Sequence, residues 1–424
     1  MKKMFLILVA VCLIQTSCAK VKNEKAITLV YSNWETLSQQ IIANKNVISA
    51  FEKKFPDIKI EYQIGTADKI LIQMAGGTAP DVFFWATALD LSKLAEKNVI
   101  AELDSLIEND KDKDFRLSDY FPVSIKACKV GNRMFGFPTH LDVMTLFYNK
   151  SLFDEYKVEY PNDKWTWSDY LNAAKKLTKD LDNDGNIDIY GIYRENGELF
   201  LRFAQEGIMF YDANLTGCMF NKPETVNILQ FYKDLEKKDK VSASFNTRDI
   251  NATQYFFSGK IAMFIHGTWY LPELMKIKNF KWDVAPLPAN PGQKRGYIYG
   301  AGMHCISSES KHKKEAWEFI KFYSGIEGRR ARRTAMKMIP ALREATKFPE
   351  FLNPPPKNID VILKAIEGDN AYLEGIFSVK DELMGKAYWI GMENFLVLEN
   401  QTAEQTVKNI AREAEKILRN KKKK

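Results

Sequence analysis

Acidic clusters, histidines and tryptophans are the residues of this 424-residue chain whose types and spacing could do chemistry. The clearest acidic spacing is the run DLDNDGNID. Asp180, Asp182 and Asp184 alternate ahead of Gly185, and the Asn186 carbonyl and Asp188 carboxylate follow. A calcium loop collects oxygens around a tight bend in this way. The twelfth position is Gly191 rather than a bidentate Glu, so an Asx-rich turn is the favoured reading and structural calcium the alternative. His140, His266, His304 and His312 are scattered without ligand spacing. The sequence contains no GxxxxGK[ST] phosphate loop, no HExxH helix and no GxSxG elbow. A nucleophilic triad or a glycosidase carboxylate pair needs no local motif, and nothing singles one out.

The aromatic residues point elsewhere. A pyranose presents an apolar face of C–H groups and a rim of hydroxyls. Flat rings cover the face, while carboxylates, amides and Arg take the rim. Trp34 and Glu35 follow the first strand-like run, ITLVYSN. Trp85 ends PDVFFW and Trp269 follows KIAMFIHG, so both should emerge at carboxyl ends of strands, where clefts of open α/β sheets lie. Asp81 begins its strand. Trp165, Trp167, Trp282 and Trp317 read as packing residues. For Trp34 and Trp389, burial and ligand contact stay open together.

Charge argues against a polyanionic partner. Of the net +7, two charges belong to Lys2 and Lys3 and four to Lys421–Lys424, leaving +1 on the body. That is no footprint for nucleic acid. Lys2-Lys3, the apolar run Met4–Ile14 and QTSC have the parts of an export signal. LIQTSC resembles a bacterial lipobox ending at Cys18, although Gln15 stands where Leu is common. The expectation is a signal peptide over 1–18, acylation at Cys18 and a polar tether over 19–25. No later run is apolar enough to span a membrane. Cys128, Cys218 and Cys305 are too few and too scattered for a disulfide framework; they read as buried thiols, with one bridge as the alternative.

The elements that must position these residues alternate in type. Ile41, Ile42, Val47, Ile48, Phe51 and Phe55 form a helical stripe that Pro56 stops, and Ile58, Ile60, Tyr62 and Ile64 alternate as a half-buried strand. With the first strand these make a β-α-β unit. RMFGFPTHLDVMTLFYNK predicts two extended stretches broken by a Pro turn. Helices are predicted from Trp165 to Asp180 and over 224–237, 251–258 and 312–324, with a last one carrying Ala403, Val407, Ile410, Ala414, Ile417 and Leu418 on one stripe. The class is α/β without bead-like linkers.

Several stretches resemble, in order, the family 1 extracellular solute-binding proteins, which include maltodextrin-binding members. They are ITLVYSNW, FEKKFPDIKIEY, GTAPDVFFWA, LAEKNVIAELDSLI, FGFPTHLDVMTLFYNKSLFDE, WTWSDYLNAAKKLTKD, SGKIAMFIHGTW with APLP, GAGMHCISSESKHKKEAWEFIKFYSG and AYWIGMENFLVL. The resemblance implies a type II two-lobed periplasmic-binding-protein-like fold with chain crossings near 143, 298 and 326. The lobes would comprise 26–143 with 299–325, and 144–298 with 326–420, ahead of a basic tail over 421–424. Ligand would sit between the lobes, which close on it.

By the same resemblance, Trp85, Trp269 and Trp389 match positions where a maltodextrin-binding member stacks sugar. His140 and Asp142 lie beside the first crossing and could bind hydroxyls. That member's acidic residue is not reproduced at Ala88, and Asp90 is out of register. The implied protein is a monomeric lipoprotein of the cell envelope. It would capture a mono- or oligosaccharide for the membrane subunits of an ABC importer, with no catalytic role and no nucleic-acid partner. The alternatives are a polyol, polyamine, phosphodiester or metal ligand, a lipid-anchored glycosidase, or an adhesive lipoprotein.

Overall fold

The structure is a computed structural model that describes residues 26–35, 38–86, 91–194, 196–209, 217–243, 252–332, 338–367, 371–373 and 382–421. The export signal, Cys18 and the tether lie outside the described residues, as do Ala88 and Asp90. Twelve strands are described: β1 (Ile27–Asn33), β2 (Ile58–Ile64), β3 (Val82–Ala86), β4 (Lys129–Val130), β5 (Arg133–Met134), β6 (Phe137–Asn149), β7 (Tyr190–Tyr193), β8 (Ile261–Gly267), β9 (Trp282–Ala285), β10 (Gly296–Ile306), β11 (Ile339–Pro340) and β12 (Ala371–Leu373). The main sheet runs β2-β1-β3-β10-β6-β8-β7, with β9 and β11 on β6 and β12 on β10.

The first lobe starts with the expected β-α-β unit. β1 pairs in parallel with β2 and β3. The connecting helix Ser38–Lys54 turns Gln40, Ala43, Asn44, Val47 and Phe51 inward. This corrects the predicted stripe: Ile42 is 44% exposed and Ile41 half-buried. Polar Gln40 and Asn44 take the inner positions because they face a buried polar cluster, which a hydrophobic pattern does not register.

β6 and β10 carry the chain between lobes. β6 begins in the core of Leu29, Tyr31 and Phe83 at Phe137, and ends among Ile192, Leu199 and Ile265 at Leu146 and Tyr148. Antiparallel β10 runs beside it, with bulges between Ile298 and Gly300 and between Gly302 and Met303. Pro138 makes no turn; it lies inside β6 opposite Met303, at the second bulge, where a missing N–H is tolerated.

The helix Ile326–Ala331 packs against Ser38–Lys54 and Lys313–Ser324. Ala341, Leu342, Ala345 and Phe348 share the core of Leu29 and Phe51, whereas Phe351, Ile359 and Ile362 pack with Phe264 and Val284. The segment from Ile339 to Phe348 therefore touches both cores, since Ile339 already packs with Phe264 and Val284. Gly328 explains the return: a Cβ there would lie 2.2 Å from the Phe322 carbonyl oxygen, so only glycine lets the two helices fold back so tightly.

Beyond the crossings, helices Trp167–Leu177, Asn196–Gln205, Pro223–Lys237, Glu382–Leu396 and Ala403–Lys421 cover the second lobe. Trp167–Leu177 starts with a capping box between Thr166 and Asp169. Ala403–Lys421 buries Ala403, Val407, Ile410, Ala414 and Leu418 of the predicted stripe, with Ile417 half-buried at its edge. It also absorbs Lys421, the first residue of the expected tail. Trp165, Trp167, Trp282 and Trp317 are all buried. No helix among the described residues is long and apolar enough to cross a membrane, and Cys128, Cys218 and Cys305 are free.

Candidate functional site

The carboxyl ends of β1 and β3 deliver two indoles to one place. Trp34 stacks on Trp85 with centroids 5.7 Å apart and planes 5° from parallel. The sequence places Trp85 at a strand end facing a cleft and leaves Trp34 open between burial and ligand contact. Trp85 is only 3% exposed and packs edge-on against Phe83, so it is the backing ring. Trp34 is half-buried and forms the outer ring. A strand of alternating aromatics buried on both faces leaves no open face for Trp85, and the sequence alone does not show that a neighbouring ring covers it.

Trp269 follows β8 in the short helical turn Thr268–Tyr270. Its ring lies directly on the Gly267 backbone, where a Cβ would sit 1.8 Å from a ring carbon. The Thr268 hydroxyl accepts from the Val143 amide at 3.1 Å, which ties this turn to β6. His266 meets Trp269 and Tyr270 edge-on at 5.2 and 4.5 Å, and burial pushes its pKa down to about 4. Trp269 stays half-buried. Trp389, on the helix Glu382–Leu396, is 46% exposed beside buried Tyr388.

Polar groups line the floor. Glu35 is buried and accepts from Asn33 and Asn44 through Oε2, at 3.1 and 3.2 Å. Asn33 also donates to the Tyr31 hydroxyl at 2.7 Å, and Tyr31 shares a 2.9 Å hydrogen bond with His304. Asn44 joins Tyr62 and Tyr323 to the same network. Arg332 approaches Glu35 to 3.8 Å.

Asp142 on β6 has a side chain 13% exposed, and its Oδ1 is buried without a hydrogen-bond partner among the described residues. Burial, reinforced by the charge of Glu35, pushes its carboxyl up to about 7. His140 is clamped between Phe84, parallel at 5.7 Å, and the Gly302 backbone, where a Cβ would lie 2.2 Å from the ring. Burial, then the charges of Arg332 and Arg329, hold His140 far below the usual imidazole range. The His140–Asp142 approach of 3.7 Å is therefore a contact of a neutral imidazole, not a charged pair. His140 supports Asp142 from behind.

Asp81 is not a floor residue. Its oxygens accept from the Val30 amide at 2.9 Å and the Ser310 hydroxyl at 2.6 Å, which ties β1 to the turn after β10. In the acidic loop, carboxylate oxygens of Asp180, Asp182 and Asp188 lie within 4.8 Å of one another. Asp184 turns away to the Asn186 amide and side chain. Asp180 and Asp188 accept from the Gly185 and Leu181 amides, so Asx hydrogen bonds close the loop on its own backbone. A separate cavity of about 540 Å³ abuts β6 at Val143, Met144 and Thr145, but none of the candidate tryptophans lines it.

The family described as bacterial extracellular solute-binding protein matches residues 35–329. The chain belongs to that family. Among curated relatives, a Streptomyces antibioticus protein named an uncharacterized lipoprotein is 25% identical over 313 residues, covering 70% of this chain and 66% of the relative. The galactooligosaccharide-binding protein of Bacillus subtilis is 25% identical over 330 residues, covering 73% and 72%. Among solved structures, an ABC substrate-binding protein of Listeria monocytogenes in complex with cycloalternan superposes with a TM-score of 0.81 at 27% identity, covering 92% of this chain and 99% of that one. The two-lobed solute-binding fold follows. As a member of an extracellular family the protein acts outside the cytoplasm, in the cell envelope.

Sequence reasoning named Trp34, Glu35 and Asp142 but missed Asn33, Asn44, Tyr323, Arg329 and Arg332. Asn44 carried one legible signal, its place four residues after Gln40 on a helical face. The arginines of EGRRARR carried none, because a basic run normally reads as a solvated surface.

Proposed function

We propose that this solute-binding protein captures a mono- or oligosaccharide between its lobes and hands it to the membrane subunits of an ABC importer. The observation that carries the reading is the Trp34–Trp85 stack set beside two buried carboxyl groups. A half-buried indole backed by a second ring is a rigid platform for the C–H face of a pyranose. Glu35 and Asp142 each keep an oxygen without a hydrogen-bond donor among the described residues, and a sugar rim supplies hydroxyl donors to such groups. The names of the Bacillus subtilis and Listeria relatives support the same ligand class. Trp269 would cover the sugar from the second lobe. Acylation at Cys18 would hold the protein at the membrane.

The test is the thermal midpoint of the purified chain against a panel of sugars, polyols, polyamines and phosphodiesters. A ligand at 100 times its Kd adds about 2.7 kcal/mol, a shift of several degrees. A shift with one sugar, without its consumption, supports the reading. A shift only with polyamines or phosphodiesters replaces the ligand class, and turnover of a glycoside replaces binding with catalysis. Cys18→Ala should move the protein from the membrane fraction to the soluble one; retention in the membrane would remove the anchor from the account.

A further inference from the structure

The separate cavity lies where β6 changes partners. β10 pairs with β6 as far as Met144, opposite Tyr297, and β9 takes over the same edge at Leu146, opposite Ala285. The chain between Ala285 and Gly296 forms no strand and arches away, so β6 at residues 143–145 faces an opening of about 540 Å³. The helix Asp360–Ile366 supplies the far wall. A cavity of this size accommodates a small organic ligand.

The arch is pinned in place by its own hydrogen bonds. Arg295 Nη1 donates to the carbonyls of Trp165 and Leu287 at 2.6 and 3.0 Å, and its Nη2 to that of Ala289 at 3.3 Å. Gln205 donates to the Pro288 carbonyl at 2.9 Å, and the Ala289 amide to the Trp165 carbonyl at 3.1 Å. A site already ordered in this way gives up little binding energy to ordering.

The lining has two characters. Val143, Met144, Leu287 and Ile362 are buried apolar walls, with Ala365 half-buried beside them. No aromatic ring lines the cavity, so it offers no platform to a pyranose face. The charged lining is Asp163, Lys294, Arg295 and Lys364. Arg295 is the half-buried cation among them, and its Nε–H takes no part in the bonds that pin the arch. Lys364 stands exposed at the rim, next to Ala365. An inorganic anion would leave the apolar walls unused, and a purely apolar molecule would leave the guanidinium unanswered. A molecule with an apolar body and one carboxylate answers both.

We propose that this cavity binds a small amphipathic carboxylate. Its aliphatic chain lies against Val143, Leu287 and Ile362, and its carboxylate meets Arg295 and the Lys364 rim. The site is distinct from the candidate floor, since none of Trp34, Glu35, Asp142 and Trp269 lines it.

The experiment titrates the whole chain by calorimetry with octanoate, beside acetate, which lacks the apolar body, and octanamide, which lacks the charge. Octanoate should bind saturably, and the other two about tenfold more weakly or worse. Ala365→Trp fills the cavity from a half-buried position and Lys364→Glu reverses an exposed charge; each should weaken octanoate by about fivefold or more. Crystals of the unaltered protein soaked in bromine-tagged octanoate give an arm that does not depend on a variant folding. They should show anomalous density among Val143, Leu287 and Ile362. No saturable binding of octanoate, equal binding of octanamide, undiminished affinity in both variants, or bromine only outside the cavity overturns the proposal.

Discussion

At the scale of single residues, the stacked tryptophans should separate stability from binding. Trp85 is the backing ring, so Trp85→Ala should destabilise the fold by about 3–5 kcal/mol, read from denaturant midpoints. Trp34 is the outer ring, so Trp34→Ala should leave most of the stability and weaken sugar binding by about tenfold or more. Equal stability losses in the two would contradict the order of the stack. Asp142 makes a second separation. Its carboxyl has an ordinary pKa of 3.8 and one of about 7 in the fold. A raised carboxyl stabilises the fold in its protonated form. That contribution is complete below 3.8 and is lost as pH rises through about 7. Neutral His140, His266 and His304 act in the opposite sense, losing stability as pH falls through the ordinary imidazole value of 6.5. The difference between the wild type and Asp142→Asn isolates Asp142. Without sugar, Asp142→Asn should gain stability relative to wild type between pH 4 and pH 8, and a flat difference would refute the assignment.

At the scale of elements, two glycines let rings lie on backbone. Gly267→Ala places a Cβ 1.8 Å from the Trp269 ring and Gly302→Ala one 2.2 Å from His140. Each should cost about 1–3 kcal/mol as an overpacking change. Gly267→Ala should also reduce sugar affinity, because the ring it displaces is the one proposed to cover the sugar from the second lobe; unchanged affinity by calorimetry would take Trp269 out of the site. The lobes also touch through Ser38, at the start of the first helix. Its hydroxyl donates to Glu273 at 3.4 Å and accepts from Lys276 at 2.9 Å. The contact is exposed, so Lys276→Ala should change affinity by less than about fivefold. A larger loss would make this contact a principal latch.

These elements show how far the sequence could be read. Strand ends were legible because apolar runs stop sharply at Trp34, Trp85 and Trp269. The helix Ser38–Lys54 was legible as a helix but not in its facing, because Gln40 and Asn44 replace apolar residues on the inner side. Pro138 looked like a turn because its pairing partner, a bulged strand 165 residues later, is invisible to local pattern.

At the scale of the whole molecule, the two-lobed α/β class was readable from ordered motifs, while the return of the chain at Gly328 was not. The return at Gly328 depends on one close backbone approach, and the run of basic residues that follows looks like surface. The polar floor was half readable. Residues at strand ends announce themselves, but the arginines reach the site only through the packing of the helix Ile326–Ala331 on its neighbours. The central claim is that a sugar binds on the Trp34 platform between the lobes. Isothermal titration of the whole chain with a panel of oligosaccharides, beside Trp34→Ala, tests it most directly. The account predicts saturable binding of one sugar class by the wild type and a loss of about tenfold or more in Trp34→Ala. Wild-type affinity in Trp34→Ala, or no binding of any sugar by the wild type, would contradict it.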